Sequence, residues 1–243
     1  MQRREFNQAS IGAIGAIGAI GALIAATYQQ AHALSLGGLA GISNQDASAG
    51  LKTALEKGAL AAVALLGRTD GFFGNDKVRI PLPGYLNDVA GLFKNLGQGK
   101  RLDELTLSLN RAAEAAIPMG KTLLVDAVKN MSVSDAKNIL TGGDTSVTAF
   151  FADKTRATLS ITFLPIVTKA TEKVGLLNKY NEFAGKAAGF GLVKKEDANI
   201  QQYVTGKSLD GLYLIIGEEE KKIRRDPVGT GSAILKKVFG AMK

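Results

Sequence analysis

The chain has 243 residues, with no Cys, no Trp, a single His at position 32, and 30 Lys and Arg against 22 Asp and Glu for a formal charge of +8. Without thiols, and with its one imidazole in an amino-terminal segment expected to be cleaved off, the mature chain lacks the parts for Ser-His-acid triads, cysteine nucleophiles, His/Cys zinc sites and Glu-x-x-His di-iron bundles. The basic residues are interspersed with acidic ones and form no stripe alternating with aromatics, which argues against a nucleic-acid surface.

The amino terminus reads as an export signal. Arg3 and Arg4 precede an uncharged apolar stretch from Ile11 to Ala26, and Ala31-His32-Ala33 has the small residues of a cleavage site at Ala31 and Ala33. Residues 1–33 are therefore expected to be a cleavable leader and 34–243 a single periplasmic domain. Glycine at every third position of the apolar run disfavours a retained membrane helix. The Arg pair leaves the twin-arginine and general secretory routes both open. Losing the leader removes Arg3, Arg4 and Glu5, lowering the formal charge from +8 to +7. The remaining domain must be stable in an oxidising compartment without disulfides.

From there almost every segment carries the helical period. Leu51, Leu55, Ala59, Ala62, Val63 and Leu66 fall on one stripe of a first helix, from near Asp46 to Leu66. Asp70, Asn75 and Asp76 beside Gly71 and Gly74 suit turns, lacking the spacing of a calcium loop. Lys77 to Gly84, reading Lys-Val-Arg-Ile-Pro-Leu-Pro-Gly, breaks the pattern. Each proline pushes its predecessor out of the helical region, so this arm is expected to be extended, with Val78, Ile80 and Leu82 on one side and Arg79 on the other. It is either a strap across the helices, an edge strand, or the lip of a pocket.

Leu102, Leu105, Leu109, Ala112 and Ala116 form a second stripe, with a kink or break expected at Pro118. Leu124, Ala127, Val128 and Met131 continue after it. A short helix from Ser134, read as its cap, to Leu140 should end at Gly142-Gly143 with positive φ. Asp144 or Thr145 should then cap the next helix, which carries Val147 to Val174 and a second kink at Pro165. Further helices are expected over Leu176–Ala188, Asp197–Arg225 and Ala233–Met242. Leu209, Leu212, Tyr213, Leu214, Ile215 and Ile216 are apolar nearly all round, placing that helix at the centre. The fold class is thus all-α: one helical bundle with kinked helices and a Pro-rich arm at about 77–84.

Motifs that mimic catalysis fail in context. Gly120-Lys121-Thr122 ends like a phosphate-binding loop, but its first glycine would be Ala115, on a helix. Ser134-Asp135-Ala136-Lys137 lacks the partner motifs of penicillin-binding enzymes, and Gly189-Phe190-Gly191 has no strand before it. Glu218, Glu219 and Glu220 splay around a helix, and Glu218 with Lys222 and Glu220 with Arg224 read as surface ion pairs. The helix face of Ala184, Gly185 and Ala188 reads as a close-packing surface. Ile234, Leu235, Val238 and Met242 oppose Lys236, Lys237 and Lys243, a tail suited to packing on the bundle or lying on an anionic membrane.

Six blocks are familiar: Leu51 through Gly58, Lys77 through Gly84, Asn110 through Ala116, Ile139 through Asp144, Ala188 through Val193, and Gly217 through Glu220. Together, in order, they resemble the DUF4197 family of exported proteins of Gram-negative bacteria. The resemblance implies the envelope address and one domain, and supplies no catalytic residues.

An inventory poor in reactive groups and rich in aliphatic helix faces leads to a non-enzymatic binding or interaction protein, with a pocket under the arm. Its ligand would be an apolar or amphipathic small molecule, or its partner an envelope protein. The candidate residues are Arg79, Ile80, Leu82, Asp210, Tyr213, Glu218 and Arg224; neither a metal nor a cofactor is called for. The competing reading is a hydrolase or lyase using two carboxylates drawn from Asp126, Asp210, Glu218 and Glu219.

Overall fold

A computed structural model describes residues 39–189 and 199–242. After a 3-10 turn at Leu39–Gly41, the elements are α1 (Asn44–Leu66), α2 (Gly84–Asn95), α3 (Gly99–Met119), α4 (Lys121–Asn130), α5 (Ala136–Thr141), α6 (Ser146–Lys173), α7 (Leu176–Gly189), α8 (Ile200–Arg225) and α9 (Ala233–Gly240). Among the described residues there is no strand, and no helix is long and apolar enough to cross a membrane. The expected leader with Ala31 and Ala33, the Phe190-Gly191 pair and Asp197 lie outside the described residues.

The three long helices α1, α6 and α8 form the centre, with α8 packed on both of the others. Leu209, Leu212, Ile215 and Ile216 of α8 are buried, as their run of apolar residues anticipates, while Leu214 is 41 % exposed on the outer side. The stripe of α1 is buried from Leu51 to Leu66 apart from the half-buried Val63, and Ser43 caps the helix by accepting the Asp46 N–H at 3.0 Å. The α3 stripe is buried without exception from Leu102 to Ala116.

The two prolines act differently. Pro118 sits in the last turn of α3, and the chain breaks at Gly120 before α4 begins. Pro165 lies inside α6, which runs on unbroken. The carbonyl left without a donor there is that of Ile161, a residue 74 % exposed, so water can take up the missing bond.

Three helix starts depart from expectation. Asp135, not Ser134, occupies the position before α5, and its carboxylate accepts from the Asn138 amide at 2.7 Å. Gly143 has the expected positive φ of 122°, yet neither Asp144 nor Thr145 caps α6. Glu220 on α8 does so instead: its two oxygens accept the Val147 and Thr148 N–H groups at 3.1 and 2.8 Å. The long C-terminal helix opens at Ile200, capped by Asn199 through the Gln202 N–H at 3.0 Å. Helix α2 has no counterpart in the sequence reading.

The tail packs on the bundle. Leu235, Val238 and Phe239 of α9 are buried, Val238 against Gly50 of α1, and Lys237 pairs with Asp46 at 2.7 Å.

Candidate functional site

The arm is held by side chains rather than by a neighbouring strand. Ahead of it, the Phe72 and Phe73 N–H groups both donate to Glu114 Oε1 at 3.1 Å, and the other oxygen of this buried carboxylate takes Arg111 at 2.5 Å. Arg111 also reaches Asp70 at 2.8 Å, where the chain turns with φ of 62°. The Phe72 ring fills the space over Gly211 of α8: a Cβ there would come within 2.7 Å of it.

Within the arm, Val78 and Ile80 point inward and Arg79 and Pro81 outward, the alternation expected of an extended segment. The buried Asn110 side chain does the work of a paired strand. Its Oδ1 accepts the Ile80 N–H at 2.8 Å, and its Nδ2 donates to the Ile80 carbonyl at 2.9 Å and to the Thr106 carbonyl at 2.8 Å. Two prolines make a conventional ladder impossible here, and one amide satisfies the groups that burial would otherwise orphan. Tyr203 of α8 adds a bond from its hydroxyl to the Pro81 carbonyl at 3.0 Å, and burial pushes this phenol up to about 12.

Beside the arm lies an open cleft of about 650 Å³. One wall is Phe73, Asp76, Arg79, Pro81 and Leu82; the other is Asn87, Ala90 and Lys94 of α2 with Leu102, Asp103 and Thr106 of α3. Arg79 lies over the Phe73 ring, 4.1 Å from its centroid. A second cleft of about 390 Å³ runs between α4 and α6, with Asp126, Asn130, Lys154 and Thr158 among its lining.

A family model described as "Protein of unknown function (DUF4197)" matches residues 41–240. The chain belongs to the DUF4197 family. Curated proteins and solved structures return no match. The blocks that carried the resemblance include the arm of this DUF4197 chain, its Asn110 and Glu114 anchors, and the Glu220 that caps α6.

The candidate residues do not converge on one site. Arg79 and Leu82 line the arm cleft, with Ile80 buried beneath. Tyr213 is buried between α6 and α8, its hydroxyl 2.9 Å from Thr155 Oγ1 and its ring edge-on to Phe151, and burial raises its phenol above the ordinary range. Asp210 pairs on the surface with Arg156 at 2.8 Å, and Glu218 bridges to Lys221 at 3.2 Å and to Lys77 at 3.7 Å. Arg224 is far from Asp210, because the fourteen residues that separate them along α8 span about 20 Å.

Arg224 and Glu220 form a buried hub. The guanidinium donates to Glu220 at 2.7 and 2.9 Å, to the Leu140 carbonyl at 2.8 Å and to Ser146 Oγ at 2.9 Å, tying α5, α6 and α8 together. The pairing of Glu220 with Arg224 is the one its spacing suggests, but it is interior and not a solvated helix end; Glu218 pairs with Lys221, not Lys222. Of the acids considered for catalysis, Asp126 lines the α4–α6 cleft, while Asp210, Glu218 and Glu219 sit in surface ion pairs and line neither cleft.

The cleft residues Phe73, Asp76, Asn87, Ala90, Lys94, Asp103 and Thr106 were not among the candidates. Half of one wall is α2, which the sequence reading left unassigned. Asn110 did carry a signal: an amide of poor helix propensity set inside an apolar stripe, with Glu114 four residues on.

Proposed function

We propose that this protein is a non-enzymatic binding protein of the bacterial envelope, exported to the periplasm by its leader, and that the arm cleft is where it holds an amphipathic ligand. The observation that carries this reading is the cleft itself. Its volume lies in the range of about 300–1,000 Å³ usual for small-molecule sites. Leu82, Ala90 and Pro81 offer apolar contact beside Arg79, Lys94, Asp76 and Asp103. Anchoring by Asn110, Glu114 and Tyr203 fixes the lip in place, which lowers the ordering cost of binding.

Native mass spectrometry of protein released gently from the periplasm tests this. A bound small molecule is expected, and Ala90→Trp, which fills the cleft from α2, is expected to lose it. Protein that carries nothing, or that keeps its ligand in the Ala90→Trp variant, would overturn the assignment. Cell fractionation with amino-terminal sequencing tests the address: a mature chain beginning at Leu34 is expected in the periplasmic fraction, and an intact leader in the cytosol contradicts it.

A further inference from the structure

The charges in the arm cleft narrow the class of ligand, an inference that rests on the cleft being a binding site. Ion pairs tie several elements together elsewhere: Arg111 with Asp70 and Glu114, Arg224 with Glu220, Arg156 with Asp210, Lys237 with Asp46. Arg79, Lys94, Asp76 and Asp103 all line the cleft, and none of the four makes an ion pair among the described residues. Arg79 is nonetheless positioned, because its guanidinium rests on the Phe73 ring at 4.1 Å.

Two cations and two anions are therefore held within one cleft without neutralising each other. Water solvates them while the cleft is open, and a ligand that covers them must replace that solvation. A purely anionic ligand would meet Asp76 and Asp103; a purely cationic one would meet Arg79 and Lys94; an uncharged one would leave all four without a partner. A molecule bearing both signs meets none of these penalties.

We propose that the arm cleft takes a zwitterionic amphipath, with one ammonium and one carboxylate or phosphate on an apolar body. Arg79, stacked on Phe73, presents the edge of its guanidinium fork to the acid group, the geometry that suits carboxylate and phosphate alike. Asp103, exposed on α3, accepts from the ammonium. Leu82 and Ala90 contact the apolar body. Free amphipathic peptides and zwitterionic lipids share this chemistry.

Titration calorimetry on the mature chain, with probes of matched body and different charge, tests the proposal. The peptide set is the dipeptide Leu-Leu with both termini free, the same dipeptide N-acetylated, and the same dipeptide C-amidated. The lipid set is dihexanoyl phosphatidylethanolamine against dihexanoyl phosphatidylglycerol, below their micelle concentrations. The doubly charged member of at least one set is expected to bind about tenfold or more tighter than its singly charged relatives, the scale of one charge-assisted contact. Which set shows the preference identifies the source. Arg79→Gln should abolish the margin over the amidated dipeptide, or shrink phosphatidylethanolamine binding by a similar factor; Asp103→Asn should abolish the margin over the acetylated dipeptide or over phosphatidylglycerol. Both side chains are exposed, and circular dichroism checks that the variants fold. Singly charged probes that bind as tightly as the zwitterions would overturn the ligand class while leaving the site standing. A folded chain that binds no probe of either set would overturn the site and the class together.

Discussion

Asn110 shows how much one side chain can decide. Three hydrogen bonds converge on its amide in an interior where water cannot substitute, and two of them hold the backbone of Ile80. Asn110→Ala leaves the Ile80 N–H and carbonyl buried without partners, which should cost about 2–4 kcal/mol. Urea unfolding measures that loss, and limited proteolysis should show new cleavage between Arg79 and Pro83. Glu220 is comparable. Glu220→Ala removes the cap of α6 and strands the largely buried Arg224, so a loss of about 3–5 kcal/mol is expected. Arg224→Lys should not rescue the hub, since an ammonium cannot reach Glu220, Leu140 and Ser146 together. Both roles escaped the sequence reading for one reason: a polar side chain on a helix reads as solvated unless its burial is known, and burial depends on which helix arrives opposite it.

At the scale of elements, the docking of α9 on α1 is sensitive to acid. The Asp46 carboxyl is held below its ordinary value of 3.8, chiefly by the Lys237 bond and then by the Ser43 hydroxyl. A lowered native value means stability that is present above the unfolded value and is lost as pH falls through the native one. The wild type should therefore lead Asp46→Asn in urea midpoint near neutrality, and the two curves should converge in acid as pH falls through the lowered native value. The arm is sensitive to alkali in the opposite sense. Tyr203, neutral and bonded to Pro81, ionises near 12 in the folded chain, so its contribution is complete below the ordinary value of 10.0 and declines as pH rises past it. Tyr203→Phe should flatten that decline and weaken the arm modestly, by about 1 kcal/mol at neutral pH. Gly211→Ala tests how the arm is seated. The added methyl meets the enclosed Phe72 ring at 2.7 Å, and the forced shift should destabilise by about 1–3 kcal/mol while loosening the turn ahead of the arm.

At the scale of the molecule, the helical period marked α1, α3, α6, α8 and α9 because each buries one apolar stripe, and a stripe is a local property of spacing. The extended arm was legible for a similar reason, since proline restricts its own residue and the one before it whatever the rest of the chain does. The class all-α and the family membership follow from such local signals. Helix α2 was missed because, among its described side chains, Leu86 and Phe93 are the fully buried large ones, too sparse a pattern to stand out after a proline-rich segment. Its placement against α3 creates the arm cleft, and so the cleft could not be read in advance. The order of residues determined which segments coil, where the chain extends and which catalytic chemistries lack their parts. Tertiary packing alone decided that Asn110 and Glu220 are interior and that four unmatched charges share one cleft, because distances across helices are set by the partner each face meets and not by separation along the chain.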